Sequence, residues 1–271
     1  MEQMGFNIEV KLLRENVIAP LSKLFESKDK KDKKAIIIEF ECEKEKIMIK
    51  EKDSSNVMFM SIELDEGIIS DYTNDLKDDE ISKIAFDLNK LQDILTDLTG
   101  IISFELDSEN KRLILKSGAY TYELGLNIVR KDKKHPELES TENSIDIKGQ
   151  ELYTIFKKCS GINKFVDVKL IAETDDSDFL LSFIARESGT NTKVKVELNE
   201  FGVSKYNAKS DCSNAFDTFN TGFLDLLKES VGKMPTIRVF MKDNYPLLIH
   251  YEIIEGHGKV ILGVAPRLVS E

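Results

Sequence analysis

The stretch YPLLIHYEIIEGHGKVILGVAPRLVSE, Tyr245 to Glu271, decides the fold. Leu247, Ile249, Tyr251 and Ile253 alternate with Leu248, His250 and Glu252, which is the period of a strand. Gly256 and Gly258 turn the chain at little steric cost, and Val260, Leu262 and Val264 start a second alternating strand. Pro266 has no N–H to donate, so Ala265-Pro266-Arg267 ends the sheet and sends a short tail over the surface. The stretch therefore predicts a β-hairpin with a proline stop.

Outward from this hairpin, one unit occurs four times: a short strand, an amphipathic helix, then two or three strands. In the first unit Phe6, Ile8, Val10 and Leu12 alternate, and Val17, Ile18, Leu21, Leu24 and Phe25 line a helix. Pro20 inside that helix costs roughly 3 kcal/mol and predicts a late start or a kink. Strands are predicted near 35–42, 45–51 and 56–64, followed by an acidic loop, DYTNDLKDDE, at 71–80. In the second unit Ile84, Phe86 and Leu88 alternate. Leu91, Ile94, Leu95 and Leu98 then line a helix ended by Gly100, and strands follow near 101–107, 111–117 and 119–126. The third unit opens with Ile145 and Ile147. Its helix carries Leu152, Ile155, Phe156 and Cys159, and its strands fall near 165–173, 178–186 and 193–199. The fourth has a weak strand around Phe216 to Phe219, a helix with Phe223, Leu226, Leu227 and Val231, and strands near 236–242 before the hairpin.

Between the second and third units lies NIVRKDKKHPELESTEN, Asn127 to Asn143, charged and without periodicity. It reads as a surface connector. The chain is thus predicted to be α+β, with two similar domains, 1–126 and 144–271, joined by the connector 127–143.

Composition excludes several classes. No apolar run among the 271 residues approaches the ~20 needed to span a bilayer, and MEQMGFNIEV lacks a basic-then-apolar leader pattern. Cys42, Cys159 and Cys212 are too scattered for a disulfide framework or a zinc site, and His135, His250 and His257 are equally dispersed. These thiols are expected to be buried, in a reducing compartment. The net charge of −11 bears on solubility, whereas nucleic-acid binding depends on where the cations lie.

Tyr-Pro, the Gly-turned hairpin and Ala-Pro-Arg together resemble the C-terminal part of the proliferating cell nuclear antigen family, the ring-shaped DNA sliding clamps. Asp53-Ser54-Ser55-Asn56-Val57 is similar to that family's turn between two strands of the first unit, and Ser22-Lys23-Leu24 resembles archaeal members. The resemblance implies a DNA-clamp fold, with inner helices and outer antiparallel sheets, that forms a ring of three subunits. It implies a non-enzymatic processivity factor in DNA replication and repair, without cofactor or metal, intracellular and DNA-associated: cytoplasmic in a prokaryote, nuclear in a eukaryote. Implied partners are duplex DNA read without regard to sequence, further copies of the chain, DNA polymerase, the clamp loader and clients bearing clamp-binding peptides; no membrane is implied. A subunit of a heterotrimeric or checkpoint clamp is the alternative.

Asp175, Asp176 and Asp178 form the densest carboxylate cluster, in TDDSD, and support a remote alternative as an acidic enzyme. Asp and Ser there also suit a plain hairpin turn, and no phosphate-cradling glycine loop, GxSxG or HExxH occurs. No catalytic residue is expected.

Opposite the apolar helix stripes stand Arg14, Lys23, Lys90, Lys157, Lys158 and Lys228, with Lys83, Lys111, Arg112, Lys148 and Lys233 nearby. An ordinary solvated helix face carries the same residues, and Asp87, Asp93 and Asp97 accompany Lys90. The family resemblance implies that these cations face DNA. It also implies a client-peptide pocket built from Asn56, Val57, Phe59, Leu126, Ile128, Pro136, Leu138, Pro246, Gly263, Ala265 and Pro266. Gly263 stands where relatives carry a tyrosine or leucine. It either leaves that wall open to larger plugs, or relieves the strand and admits a neighbouring side chain. Free sheet edges for ring closure are expected at Lys111 to Ser117 and at Thr192 to Leu198.

Overall fold

The structure, a computed structural model, describes residues 4–25, 35–78, 80–130, 135, 144–172, 179–187, 189–198, 205–207, 215–221 and 231–267. In the first half, β1 (Met4–Glu9) leads into a helix of three parts: α1 (Val10–Leu13), a π-helical turn (Arg14–Ile18) and α2 (Ala19–Leu24). Then come β2 (Ile37–Cys42), β3 (Ile47–Lys52), β4 (Met58–Leu64), β5 (Ile69–Asn74), β6 (Ser82–Asp87), α3 (Leu88–Leu95), β7 (Ile101–Asp107), β8 (Arg112–Ser117) and β9 (Tyr120–Gly125). The second half holds β10 (Ser144–Ile147), α4 (Gly149–Ser160), β11 (Phe165–Ala172), β12 (Phe179–Arg186), β13 (Lys193–Leu198), β14 (Lys205–Asn207), β15 (Ala215–Asn220), β16 (Ile237–Phe240), β17 (Leu247–Ile254) and β18 (His257–Val264).

By packing, the chain forms two units that interleave in sequence. One comprises 1–54, 60–136 and 252–260; the other comprises 55–59, 137–251 and 261–271.

Strand order exposes an internal duplication. One sheet runs β5-β1-β7-β8-β9, another β13-β12-β11-β15, and the third β14-β10-β16-β17-β18-β4-β3-β2-β6. The run β14-β10-β16-β17-β18 repeats β5-β1-β7-β8-β9 strand for strand, and β4-β3-β2-β6 repeats β13-β12-β11-β15. The pairing is antiparallel, as between β1 and β7 or β11 and β12.

Each unit has its own apolar interior. In the first, Phe6 on β1 stacks on Phe104 of β7 with centroids 4.6 Å apart, and Phe40 meets Phe86 edge-on at 4.9 Å. In the second, α4 buries Leu152, Ile155, Phe156 and Cys159, and Phe156 meets Phe183 of β12 edge-on at 6.2 Å. Such pairs add to plain area burial because ring edges and faces carry opposite partial charge. Asp87 caps α3 by accepting from the Asn89 amide at 3.0 Å. Gly149 opens α4 against the Val231 and Met234 carbonyls, where a Cβ would collide with both.

The structure departs from sequence expectation at four places. The first helix begins at Val10, so Val10 and Leu12 end no strand. Pro20 sits in the first turn of α2, directly after the π turn in which the Ala19 amide reaches back to the Arg14 carbonyl. Pro20 has no N–H to give back to the preceding turn, and the wider turn before it relieves the ring's clash. The acidic loop is a strand over its first residues, because β5 pairs with β1 through Met4↔Asn74 and Ile8↔Ile69. Finally, the edges of the five-stranded sheet are β5 and β9, while Lys111 to Ser117 contributes the interior strand β8. The expected edge at Thr192 to Leu198 stands as β13.

Candidate functional site

The cations divide by what holds them. In the first unit Arg14 is exposed, and its Nη1 donates to the Leu95 and Thr96 carbonyls at 3.5 and 3.3 Å. A cation there complements the negative end of α3 and ties the π turn to that helix. Ser22 Oγ on α2, donating to Gln92 Oε1 at 3.1 Å, makes a second tie to α3. Lys90 is exposed on α3, and Lys23 is half-buried on α2.

Two predicted cations prove to be committed to carboxylates. Lys83 pairs with Glu41, which also holds Lys50 at 3.1 Å. Burial pushes the Glu41 carboxyl up, but the two lysines outweigh it and hold the group below its ordinary value. Arg112 gives Nε to Asp107 at 2.8 Å and Nη1 to Glu123 at 2.6 Å. The Asn110 side chain, then Arg112, bring Asp107 down to about 2. Lys111 is exposed in the turn before β8, at a φ of 52°.

In the second unit Lys148 immediately precedes α4, Lys157 and Lys158 occupy its last turn, and Lys233 follows the buried Val231; all four are exposed. None makes an ion pair among the described residues. Lys228 lies outside them, as do Asp175, Asp176 and Asp178.

The predicted client residues fall into two groups. Within the second unit, the Ala265 amide donates to the Val57 carbonyl at 2.7 Å, directly before Pro266. Phe59, only 8 % exposed, packs with Phe240 and Leu248, and Tyr245 and Ile261 close around them. Gly263 leaves no open wall. A Cβ placed on it would fall on Cε1 and Cζ of the Phe59 ring, so the admitted neighbour is Phe59 itself. Asn56 is exposed at a φ of 56°, and Pro246 and Pro266 are half-buried.

Within the first unit, Leu126 is half-buried and its amide donates to the Lys111 carbonyl at 2.9 Å. Asn127 bridges to Ala85 of β6, and the buried Glu39 carboxylate accepts the Arg130 amide at 2.8 Å. Between these two anchors Ile128 projects, 91 % exposed. Pro136 and Leu138 lie outside the described residues.

No protein-family model matches the chain. It is 26 % identical over 239 residues to the DNA polymerase sliding clamp of Methanosarcina barkeri, covering 86 % of this chain and 90 % of that one. It is also 26 % identical over 237 residues to that of Methanocella arvoryzae, covering 86 % and 89 %. A solved PCNA from A. fulgidus, bound to the C-terminal region of FEN-1, superposes with a TM-score of 0.77 at 19 % identity over 99 % of this chain and all of that one. PCNA from Thermococcus kodakaraensis gives 0.75 over 98 % and 100 %. This is the fold of the DNA sliding clamps. The expected α+β clamp fold and the resemblance to the proliferating cell nuclear antigen family are both borne out.

Sequence reasoning missed several residues on this sliding-clamp scaffold. Lys11, exposed three residues before Arg14 on the same helix, was hidden by the assignment of 10–12 to a strand. Phe240, Tyr245, Leu248 and Ile261 surround Phe59. The signal for Ile261 was available, since it shares with Gly263 the face of β18 opposite Val260, Leu262 and Val264. Cys42 and Cys159 are fully buried, and burial pushes their thiols up to about 12 and about 11, as befits packing groups. Cys212 lies outside the described residues, among which no cluster of His, Cys, Asp or Glu is arranged to hold a metal. No described helix is long and apolar enough to cross a membrane.

Proposed function

We propose that the chain is a DNA sliding clamp. It acts without catalysis as a homotrimeric ring around duplex DNA and tethers DNA polymerase, the clamp loader and other clients through short peptides. It works inside the cell, on DNA, in replication and repair. The carrying observation is the duplicated topology. Within the chain, β18 lies beside β4, and the strands that correspond to them, β9 and β13, end their sheets. A second copy presenting β13 to β9 repeats in trans the neighbourhood that β4 and β18 already have in cis. That joint is head-to-tail, so it builds a ring where the rotation closes.

The DNA contacts in this reading come from Lys11, Arg14, Lys23 and Lys90 in the first unit and from Lys148, Lys157, Lys158 and Lys233 in the second, with Lys228 and Lys111. They meet phosphates, release counterions and read no base edges, so the ring slides. Clients dock where Val57, Phe59, Ala265 and Pro266 converge in the second unit. The FEN-1 segment bound to the A. fulgidus PCNA supports this use.

The test is topological. The chain, loaded on nicked circular DNA, stays bound in high salt and is released when the circle is cut. Electron microscopy of the same preparation shows rings. Equal retention on linear and circular DNA refutes the clamp reading.

A further inference from the structure

Gly263 calls for an explanation that its backbone does not supply. It lies in the regular strand β18, it is buried, and it is absent from the glycines with positive φ. Any L-residue could adopt its conformation. What forbids a side chain is the Phe59 ring, whose Cε1 and Cζ occupy the place of the missing Cβ. Phe59 cannot simply turn away, because Phe240, Leu248, Tyr245 and Ile261 pack around it. The strand neighbours of the pair are themselves fixed, by the hydrogen bond from the Ala265 amide to the Val57 carbonyl.

We propose that Phe59 and Gly263 are a matched pair through which β4, and not β18, supplies the aromatic wall of the client site, and that the size of residue 59 sets the size of the apolar side chain admitted there. The occupant is a peptide that inserts an aromatic or aliphatic plug, so the second half of the proposal rests on the client reading above. An interior packed to crystal density has no spare volume beside Gly263. A smaller residue at 59 enlarges the site by the volume removed, whereas a larger residue at 263 only drives the ring from its seat.

Two measurements separate the parts. In the first, melting temperatures are compared for Gly263→Ala, Phe59→Leu and the double variant. Gly263→Ala lowers the melting temperature by about 5 °C, the scale of overpacking in a chain of this size. Adding Phe59→Leu recovers most of that loss. Additive losses overturn the matched pair. In the second, calorimetry follows two clamp-binding peptides that differ only in one plug, phenylalanine or the bulkier naphthylalanine. The unaltered protein prefers phenylalanine, and Phe59→Leu moves the ratio of dissociation constants about tenfold toward naphthylalanine, a change of about 1.4 kcal/mol. Phe59→Met, about as small as leucine but unbranched and more adaptable, gives a shift in the same direction and serves if Phe59→Leu unfolds. An unchanged ratio overturns the size filter. If the unaltered protein binds neither peptide, the client reading fails and takes the size filter with it. The melting cycle then decides the packing pair alone.

Discussion

The Arg112 guanidinium donates from Nε to the Asp107 carboxylate at 2.8 Å, and on that ground we leave it out of the proposed DNA-contacting set, in which the family resemblance had put it. Its Nη1 is committed as well, to Glu123. Lys157 and Lys158 stand exposed in the last turn of α4 with no carboxylate partner among the described residues. Changing both to Ala is expected to flatten the salt dependence of DNA binding, with the slope of log K against log salt falling by about 1.8, at about 0.9 per lost phosphate contact. Arg112→Ala is expected to leave that slope unchanged. A titration of binding to duplex DNA between low and moderate salt checks both, and an equal effect of Arg112→Ala would return it to the set.

The same ion pairs set the response to acid. Asp107 titrates at about 2 in the fold and nearer its ordinary value, 3.8, when unfolded; Glu41 is likewise lowered. Carboxyls with depressed folded values stabilise above the unfolded value, and that contribution is lost as pH falls through the folded one. Asp217 has the opposite sign. Burial, opposed by the Asn244 amide and joined by the charge of Asp243, raises it, so its contribution is present below the unfolded value and lost as pH rises through the folded one. Melting curves should therefore show Asp217→Asn more stable than the unaltered protein at pH 7 and equal to it near pH 3. Glu41→Gln should be less stable at pH 7 and less sensitive between pH 5 and 2. Parallel pH profiles for all three proteins would show that these groups do not control the response.

Ring closure makes a prediction that distinguishes β8 from β9. Tyr120 on β9 is 63 % exposed and stacks on Tyr122 at 6.4 Å, an aromatic ledge along an unpaired edge. Tyr120→Asp on β9 and Val194→Pro on β13, the end strand of the four-stranded sheet, are each expected to give monomers by light scattering with unchanged circular dichroism. Leu113→Pro, in contrast, breaks the ladder of an interior strand and strands its neighbours' donors and acceptors, at about 1–3 kcal/mol for each buried group. It should unfold the five-stranded sheet. Trimers that survive both edge changes sink the proposed joint.

Much of this was legible in the chain, and the failures have physical causes. The helix α4 was plain because Leu152, Ile155, Phe156 and Cys159 repeat at helical spacing and all four are buried. The start of the first helix was not, since Val10 continues the alternation of Phe6 and Ile8 while also beginning the series Val10, Leu13, Val17, Leu21, Leu24. Two periods share one residue, and the burial of the whole helical series decides between them. The strand β5 was hidden because an edge strand buries little, and only Ile69 of its six residues is buried. Sheet order was beyond reach altogether: β8 and β9 alternate alike, and which one is covered depends on β7. Phe59 and Gly263 were each noticed, but their contact joins strands far apart in sequence.

The last prediction concerns the tail beyond Pro266. The Arg267 amide donates to the Thr218 carbonyl of β15 at 2.7 Å, and the Arg267 guanidinium lies 4.2 Å from the centroid of the Phe165 ring. Thr218 is itself fixed, with Oγ1 donating to Asp167 at 2.9 Å, and Arg186 holds the other oxygen of that carboxylate at 2.7 Å. Pro266, with no donor of its own, is thus held by backbone bonds on both sides, Ala265 to Val57 and Arg267 to Thr218. A wall fixed before the ligand arrives lowers the ordering cost of binding. Arg267→Ala keeps the backbone bond and loses the ring contact, about 0.5–1 kcal/mol at an exposed site, so a clamp-binding peptide should weaken by about two- to fivefold. Arg267→Pro also removes the amide donor and should weaken it by about tenfold or more. Arg267→Lys retains a cation over the ring and should fall between the unaltered protein and Arg267→Ala. Calorimetry measures all three, with the mass of the assembly as the control that stays constant. Full-strength binding by Arg267→Pro would mean that the tail leaves the wall unaffected and that Val57 alone holds it.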